Sequence, residues 1–455
     1  MMKRIYIILF LAGIISLPAH SQENISLDKA INLALKNNPK IHAMQHQSGI
    51  ADAKKKQVEA SFYPKADVIS KYLYSNNLPN FYPLLGVKVP VMNGSAPNGD
   101  YVMLHPMAPF MNNARDLFMT DVNVVYPIYT GNKRKNALTA MDLLKDAYNV
   151  QTQESESDLV LKVKNAFYNY LMLNDVISVY EKALTQYHKH LDLAQKAYEQ
   201  GVRSEFDILN FKSKIADFNS KIIELKGKRQ IVVTGLKSLM ALPMDKEVQF
   251  SGNIGDFFNK KELLGHPQLS DLQQNYLKLH YLKKMQELIA TKQKITWADR
   301  LPVVFSFGNY HIYHGKDFPP FDKTWRDGYA IGVGAKLNLF DGNKTRAKID
   351  ELKAKSMMLS DYQDGLKLKL RFDYKKVQEE IAALKARIDA QKSNLEVSQK
   401  AYEIAQTGYK NGVTTNITLN DAYLKILKVQ TGIINLKKQI LAMEALLEYY
   451  NGQNK

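Results

Sequence analysis

The sequence contains no cysteine. That excludes a disulfide framework, a thiol nucleophile and the cysteine of a lipid anchor. Tryptophan is scarce, at 2 residues against 26 tyrosines. Tyrosine suits surfaces that are partly wet and partly apolar. After Leu17 no run of about 18 apolar residues occurs, so no transmembrane helix is expected. Glycine and proline are absent from Asn132 to Gln200. That allows one helix of about 65 residues, or about 100 Å. The sequence also lacks a phosphate loop, a Gly-x-Ser-x-Gly elbow and a zincin signature, and Gly332-Val333-Gly334 lacks the rest of a dinucleotide fingerprint. We therefore expect no enzyme, no catalytic residue, no cofactor and no bound metal.

What is present begins with an export signal. Lys3 and Arg4 precede an apolar stretch, Ile5 to Leu17, and Ala19-His20-Ser21 supplies small residues. Residues 1–21 read as a secretory signal peptide, with Gln22 starting the mature chain. An exported chain without a transmembrane helix is either free outside the cytoplasm or crosses a membrane as β-strands. The net charge of +17 would suggest nucleic acid in a cytoplasmic protein. The export signal, and lysines interleaved with Glu and Asp along helices, argue for no nucleic acid. An anionic partner or envelope lipid suits the charge better.

An internal repeat organises the chain. Ala194–Val202, AQKAYEQGV, recurs as Ala405–Val413, AQTGYKNGV, 211 residues later. Gly131-Asn132-Lys133 recurs as Gly342-Asn343-Lys344, again 211 residues later. Asn38-Pro39-Lys40-Ile41 resembles His266-Pro267-Gln268-Leu269, and Tyr63-Pro64 resembles Leu301-Pro302. Each half reads as helix, strand, loop, strand, long helix, tight turn, helix. The expected division is a first repeat over 22–242, a linker over 243–266 and a second repeat over 267–455.

The strands are expected from alternation. Tyr329, Ile331, Val333, Ala335, Leu337 and Leu339 share one face of 329–340, opposite Gly332, Gly334 and Lys336. In 303–313, Val303, Phe305 and Phe307 oppose Ser306 and Gly308. In 120–129, Val122, Val124, Tyr126 and Ile128 oppose Asp121 and Asn123. In 65–74, Ala66, Val68, Tyr72 and Tyr74 share a face. The expected pairs are 62–74 with 118–130 and 303–313 with 329–340. Such segments fit a membrane or an ordinary half-buried sheet. Segments 75–119 and 314–328 read as loops, the first long and irregular. Long helices are expected over 132–200 and 344–407, with only Gly365 interrupting the second, and shorter return helices over 204–242 and 415–450. Helices this long must lie beside similar helices.

Four strands cannot close. An open sheet in lipid leaves its edge N–H and C=O groups unsatisfied, and closed barrels need at least eight strands. If these strands span a membrane, several chains share one barrel.

Here the chain resembles the TolC-like outer-membrane efflux proteins. The opening motif from Ile25 to Pro39, the Tyr-x-x-Gly-Val turn in both halves, and the joints Tyr126–Gly131 and Leu337–Gly342 carry the resemblance. It covers nearly all of the mature chain. It implies a membrane α+β fold: four transmembrane strands per subunit, a twelve-stranded trimeric β-barrel, and long antiparallel helical hairpins forming an α-barrel. It also implies an equatorial region around 243–266. The implied protein is the outer-membrane channel of a tripartite efflux or type I secretion system. Its implied partners are its own copies in a homotrimer, a periplasmic adaptor (membrane fusion) protein, an inner-membrane transporter and outer-membrane lipid.

The resemblance also assigns residues. The turns Gly201, Val202, Arg203, Ser204 and Gly412, Val413, Thr414, Thr415 would dock the adaptor. The same glycines serve simply as helix C-caps. Asp207, Tyr409 and Asp421 match the family's periplasmic gate. The family's arginine position falls on Thr414, and Arg203 could replace it. Asp207 and Asp421 could also form carboxylate rings favouring cations, or be solvated acids on a helix. His42 and His46 have zinc-compatible spacing without a third ligand and read as surface residues. His188 and His190 share no helix face, and His311 and His314 are expected in loop solvent. Two other classes stay open, a periplasmic adaptor and a coiled-coil scaffold without a pore. The cargo and the particular pump are not legible.

Overall fold

The computed structural model describes residues 23–74, 87–93, 96–104, 116–262, 267–316 and 325–452. The expected signal peptide over 1–21 lies outside them. In chain order the elements of the first half are β1 (Glu23–Ile25), α1 (Leu27–Asn37), α2 (Pro39–Ala60), β2 (Lys65–Tyr74), β3 (Val87–Asn93), β4 (Ala96–Leu104), β5 (Asp116–Tyr129), α3 (Lys133–Glu199) and α4 (Glu205–Leu239). There follow β6 (Val248–Phe250), α5 (Ile254–Glu262), α6 (Leu269–Asn275), α7 (Leu277–Trp297), β7 (Val303–Lys316), β8 (Arg326–Lys336), α8 (Lys344–Lys410) and α9 (Asn416–Tyr450). No described helix is long and apolar enough to cross a membrane.

The helices repeat in length as well as order. α3 and α8 each have 67 residues, and α4 and α9 each have 35. α8 continues unbroken through Gly365. A single glycine costs a helix only about 1 kcal/mol against alanine. Pairs such as Lys162–Asp158 and Lys355–Glu351 hold exposed turns, each contributing a few tenths of a kcal/mol.

The chain packs into two units, each drawing on both halves. One gathers Met1–His46, Tyr148–Tyr281 and Gln363–Lys455. Its first core surrounds Val163, Phe167 and Leu171 of α3, with Ala30 and Ala34 of α1, Leu236 of α4 and Leu441 of α9. Phe250 meets Phe167 and Tyr170 edge-on at 5.7 and 5.0 Å. β1 pairs in parallel with β6. A second core runs along α8 and α9 through Leu370, Ile381, Ile388 and Ile440. A third lies near the helix turns, around Tyr187, Phe211, Tyr409 and Leu419.

The other unit, Gln47–Ala147 and Leu282–Tyr362, holds an antiparallel sheet in the order β2-β5-β7-β8. At its helix end, Gly131-Asn132 and Gly342-Asn343 all take left-handed backbone, φ +60, +61, +65 and +64. Glycine and asparagine tolerate this conformation best, which accounts for the repeated Gly-Asn-Lys. A Cβ on Gly131 would also come within 2.9 Å of Leu301. The Arg134 guanidinium lies 4.7 Å from the Phe62 ring and donates to the Ser61 carbonyl at 3.0 Å.

Several expectations need correction. The stretch expected to be one irregular loop, 75–119, contains the antiparallel pair β3 and β4 and the start of β5. Val87, Val89 and Val91 alternate before Asn93-Gly94, a hairpin signal that the many prolines obscure. The strand expected over 329–340 ends at Lys336, whose partner Val303 begins β7. Pro302 before it has no N–H to extend the ladder, and Leu339 is left 88% exposed. β5 shifts register between Pro127 and Tyr129, as a proline in a strand requires. His311 and His314 are not in loop solvent. Both lie in β7, half-buried, with His314 stacked on Trp325 at 4.9 Å.

Candidate functional site: the helix turns and the polar face of the sheet

The turn from α3 to α4 and the turn from α8 to α9 share one hydrogen-bond pattern. Gly201 N–H donates to the Tyr198 carbonyl and Val202 N–H to the Ala197 carbonyl, both at 2.9 Å. Gly412 N–H donates to Tyr409 at 3.2 Å and Val413 N–H to Gly408 at 2.8 Å. These are Schellman C-caps, which place glycine at positive φ. Gly201 has φ +73 and Gly412 φ +80. The residue that usually packs back on the helix in this motif, here a valine, is largely exposed in both turns. Val202 is 62% exposed and Val413 84%. Ser204 and Thr415 are exposed at the next helix starts, and Thr415 Oγ1 accepts from Thr418 N–H at 3.2 Å.

Arg203 joins the two turns. Its Nη2 donates to the carbonyls of Tyr409 at 2.7 Å and Thr414 at 3.0 Å. Its guanidinium lies 4.3 Å from the Tyr409 ring centroid. The Tyr409 hydroxyl donates to Asp207 Oδ2 at 3.2 Å. Burial pushes the Tyr409 hydroxyl up to about 12, the Asp207 charge pushes the same way and Arg203 opposes it. Asp207 is buried and turned to Tyr409, while Asp421 is exposed and outside this group. One difference between the halves explains the geometry. Gly408 leaves room for Thr414, whose Oγ1 lies only 2.2 Å from where a Cβ on Gly408 would be. The matching residues 211 positions earlier are Ala197 and Arg203. Arg203 therefore reaches across to the other turn.

An aromatic layer lies within the same core. His190, 1% exposed, stacks on Phe211 at 5.8 Å. Its Nε2 meets the Tyr402 hydroxyl at 2.9 Å. Tyr402 already accepts from Gln186 at 3.0 Å and Gln406 at 3.2 Å. Its proton therefore points at His190 Nε2, which accepts as neutral imidazole. Burial, then the charge of Lys410, lowers the His190 pKa to about 4. His190 continues the buried stripe Ala183, Tyr187, Ala194 at helical spacing. That stripe was readable in the sequence; the comparison with His188 alone missed it.

The sheet has two unlike faces. Its register puts Val68, Tyr72, Val122, Val124, Ile331 and Val333 on one. Ile331 is 82% exposed and Tyr329 78%. The other face carries a directed hydrogen-bond ladder across three strands. His311 Nδ1 meets Asn309 Oδ1 at 2.9 Å, Asn309 Nδ2 donates to Asn123 Oδ1 at 2.7 Å, and Asn123 Nδ2 donates to Asp67 Oδ2 at 3.2 Å. Phe305 and Phe307 share this polar face and lie over Gly334 and Gly332, 2.7 Å from where a Cβ would stand. Alternation alone could not show that these rings fold down onto glycines of the neighbouring strand.

The sequence profile of the outer membrane efflux proteins matches residues 30–242 and 319–453. The chain belongs to that family. Among relatives, the toluene efflux pump outer membrane protein TtgC of Pseudomonas putida is 20% identical over 301 residues, 64% of this chain. The chain spans 59% of the length of the curated relatives it matches. Among solved structures, VceC of Vibrio cholerae superposes with a TM-score of 0.70 at 16% identity, covering 94% of this chain and 96% of that one. CmeC of Campylobacter jejuni gives 0.69 at 14% identity, covering 94% and 86%. These likenesses show a common fold of long helices and four antiparallel strands. In this outer membrane efflux protein the three residues matched to the family gate separate: Tyr409 and Asp207 are bonded, and Asp421 stands apart.

Proposed function

We propose that the chain is one subunit of a homotrimeric outer-membrane channel that passively conducts solutes delivered by an inner-membrane transporter through a periplasmic adaptor. The observation that carries this is the sheet. One face exposes large apolar side chains, the other gathers Lys65, Asp67, Lys71, Asp121, Asn123, Asn309 and Arg326 among apolar Ile69, Leu73, Val125 and Phe307, and β2 and β8 are edges with no partner strand among the described residues. In lipid such edges must be paired. Three copies close a barrel of twelve strands, with the apolar face toward lipid and the polar face toward water. Exposed Ile223, Ile231, Leu368, Phe372, Val397 and Ile404 on the long helices suit contact between copies in a periplasmic duct.

The chain then divides into structural repeats over 22–242 and 267–455, with 243–266 at the equator. The turns 201–204 and 412–415 dock the adaptor, their exposed valines offering apolar anchors. Asp207 and Tyr409 hold the inner end closed, with Arg203 in place of the family's arginine and Asp421 as the third, exposed gate position. The test is reconstitution. Purified protein should need detergent, have three times the chain mass by light scattering, and give stepwise conductance in planar bilayers. A monomer soluble without detergent, or bilayers without steps, would refute the channel.

A further inference from the structure

Charge is unevenly placed on the polar face of the sheet. Lys65, Lys71, Arg326 and Lys336 lie on it against Asp67 and Asp121. Lys71 is opposite Met119, Met119 opposite Tyr313 and Tyr313 opposite Arg326, so Lys71 and Arg326 share one row. That row lies at the loop end of the sheet and contains no carboxylate. The next row holds Ile69, Asp121, His311 and Gly328, and the one after holds Asp67, Asn123, Asn309 and Ala330. Asp67 is already the terminal acceptor of the amide ladder. None of the four cations forms an ion pair with a described carboxylate. The segments between β2 and β5 (75–115) and between β7 and β8 (317–325) together carry three basic residues, Lys88, Arg115 and Lys323, and three acidic ones, Asp100, Asp317 and Asp322, so in sum they add no net charge to offset the row.

We propose, on the channel reading above, that the row of Lys71 and Arg326 makes the barrel lumen select anionic solutes. Three copies place six such cations around the lumen toward the loop end, in a band that the strand tilt makes oblique to the barrel axis. A ring of fixed charge in a low-dielectric wall concentrates counter-ions and excludes co-ions. Its reach follows the Debye length, about 30 Å in 0.01 M salt and about 3 Å in 1 M salt. Selectivity of this origin is strong in dilute salt and collapses in concentrated salt.

The test uses the full-length trimer in neutral planar bilayers under a KCl gradient. In dilute salt the reversal potential lies on the chloride side. The double substitution Lys71→Glu with Arg326→Glu carries it across zero to the potassium side, and Lys71→Gln with Arg326→Gln gives an intermediate value. If the charge-reversed pair does not insert, the glutamine pair and the salt dependence of the unaltered channel decide. Preference for potassium in the unaltered channel overturns the proposal. So does a chloride preference that persists in 1 M KCl, or a reversal potential that follows Asp421→Asn while ignoring Lys71 and Arg326. Absence of conductance from the unaltered protein would instead refute the channel itself.

Discussion

Ala241 ends α4 with φ +51, while Gly452, 211 residues later, ends α9 with φ +64. Left-handed backbone costs an L-residue about 1–2 kcal/mol, part of which glycine returns through the freer unfolded chain. Ala241→Gly should therefore stabilise the helices by about 0.5–1 kcal/mol, read as a higher helix melting temperature by circular dichroism in detergent. His190 predicts a dependence on pH. The unfolded imidazole takes up its proton near 6.5, and the folded one only near 4. Between these values the unfolded chain binds more protons, so stability falls as pH falls through this window and levels off below it. The groups facing His190 are Gln186 and Tyr187 on its own helix, Phe211 on α4, Tyr402 on α8 and Tyr423 on α9, with Lys410 adding positive charge. None is an acid that would welcome the proton. His190→Phe should flatten the helix-melting midpoint across pH 4–6.5; an unchanged slope would place the titration elsewhere.

The elements divide into those the sequence announces and those it conceals. The four large helices were legible because glycine and proline are missing inside α3 and glycine marks its turn. The constant spacing of Gly-Asn-Lys and Tyr-x-x-Gly-Val foretold that the second pair would match the first. The β3–β4 pair was hidden among prolines and asparagines, since alternation is a weak signal over so few residues. The link between the turns was half legible. Thr414 at the expected arginine pointed to Arg203, but the matched family positions kept Asp421 with Tyr409, and burial chose Asp207 alone. Arg203→Ala removes two charge-assisted bonds of about 1.5–3 kcal/mol each. It should open the turns and let bulky polar antibiotics cross the outer membrane, measured as lower inhibitory concentrations. Gly332→Val with Gly334→Val acts on the sheet. Their side chains would displace Phe307 and Phe305 from the sheet; in the proposed channel these rings would enter the lumen, and conductance should drop while the trimer persists.

For the whole molecule, the two edge strands β2 and β8 differ, so in the proposed trimer each copy would meet the next β2 against β8. That contact is heterologous, and rotation alone decides when the ring closes. The absence of cysteine makes it testable on a clean background. Substituting Val68→Cys or Ser70→Cys on β2, paired with Ile331→Cys or Val333→Cys on β8, should give disulfide-linked dimers and trimers wherever Cβ atoms come within about 4.5 Å. A scan yielding only monomers would remove the shared barrel. The duplication has its own consequence for assembly. In the proposed threefold ring this twofold-repeated chain would present six turns at one rim, and Arg203 and Thr414 would give them two characters in strict alternation. A partner bearing one kind of contact therefore either occupies every second place, matching the subunits one to one, or binds all six with two unequal strengths.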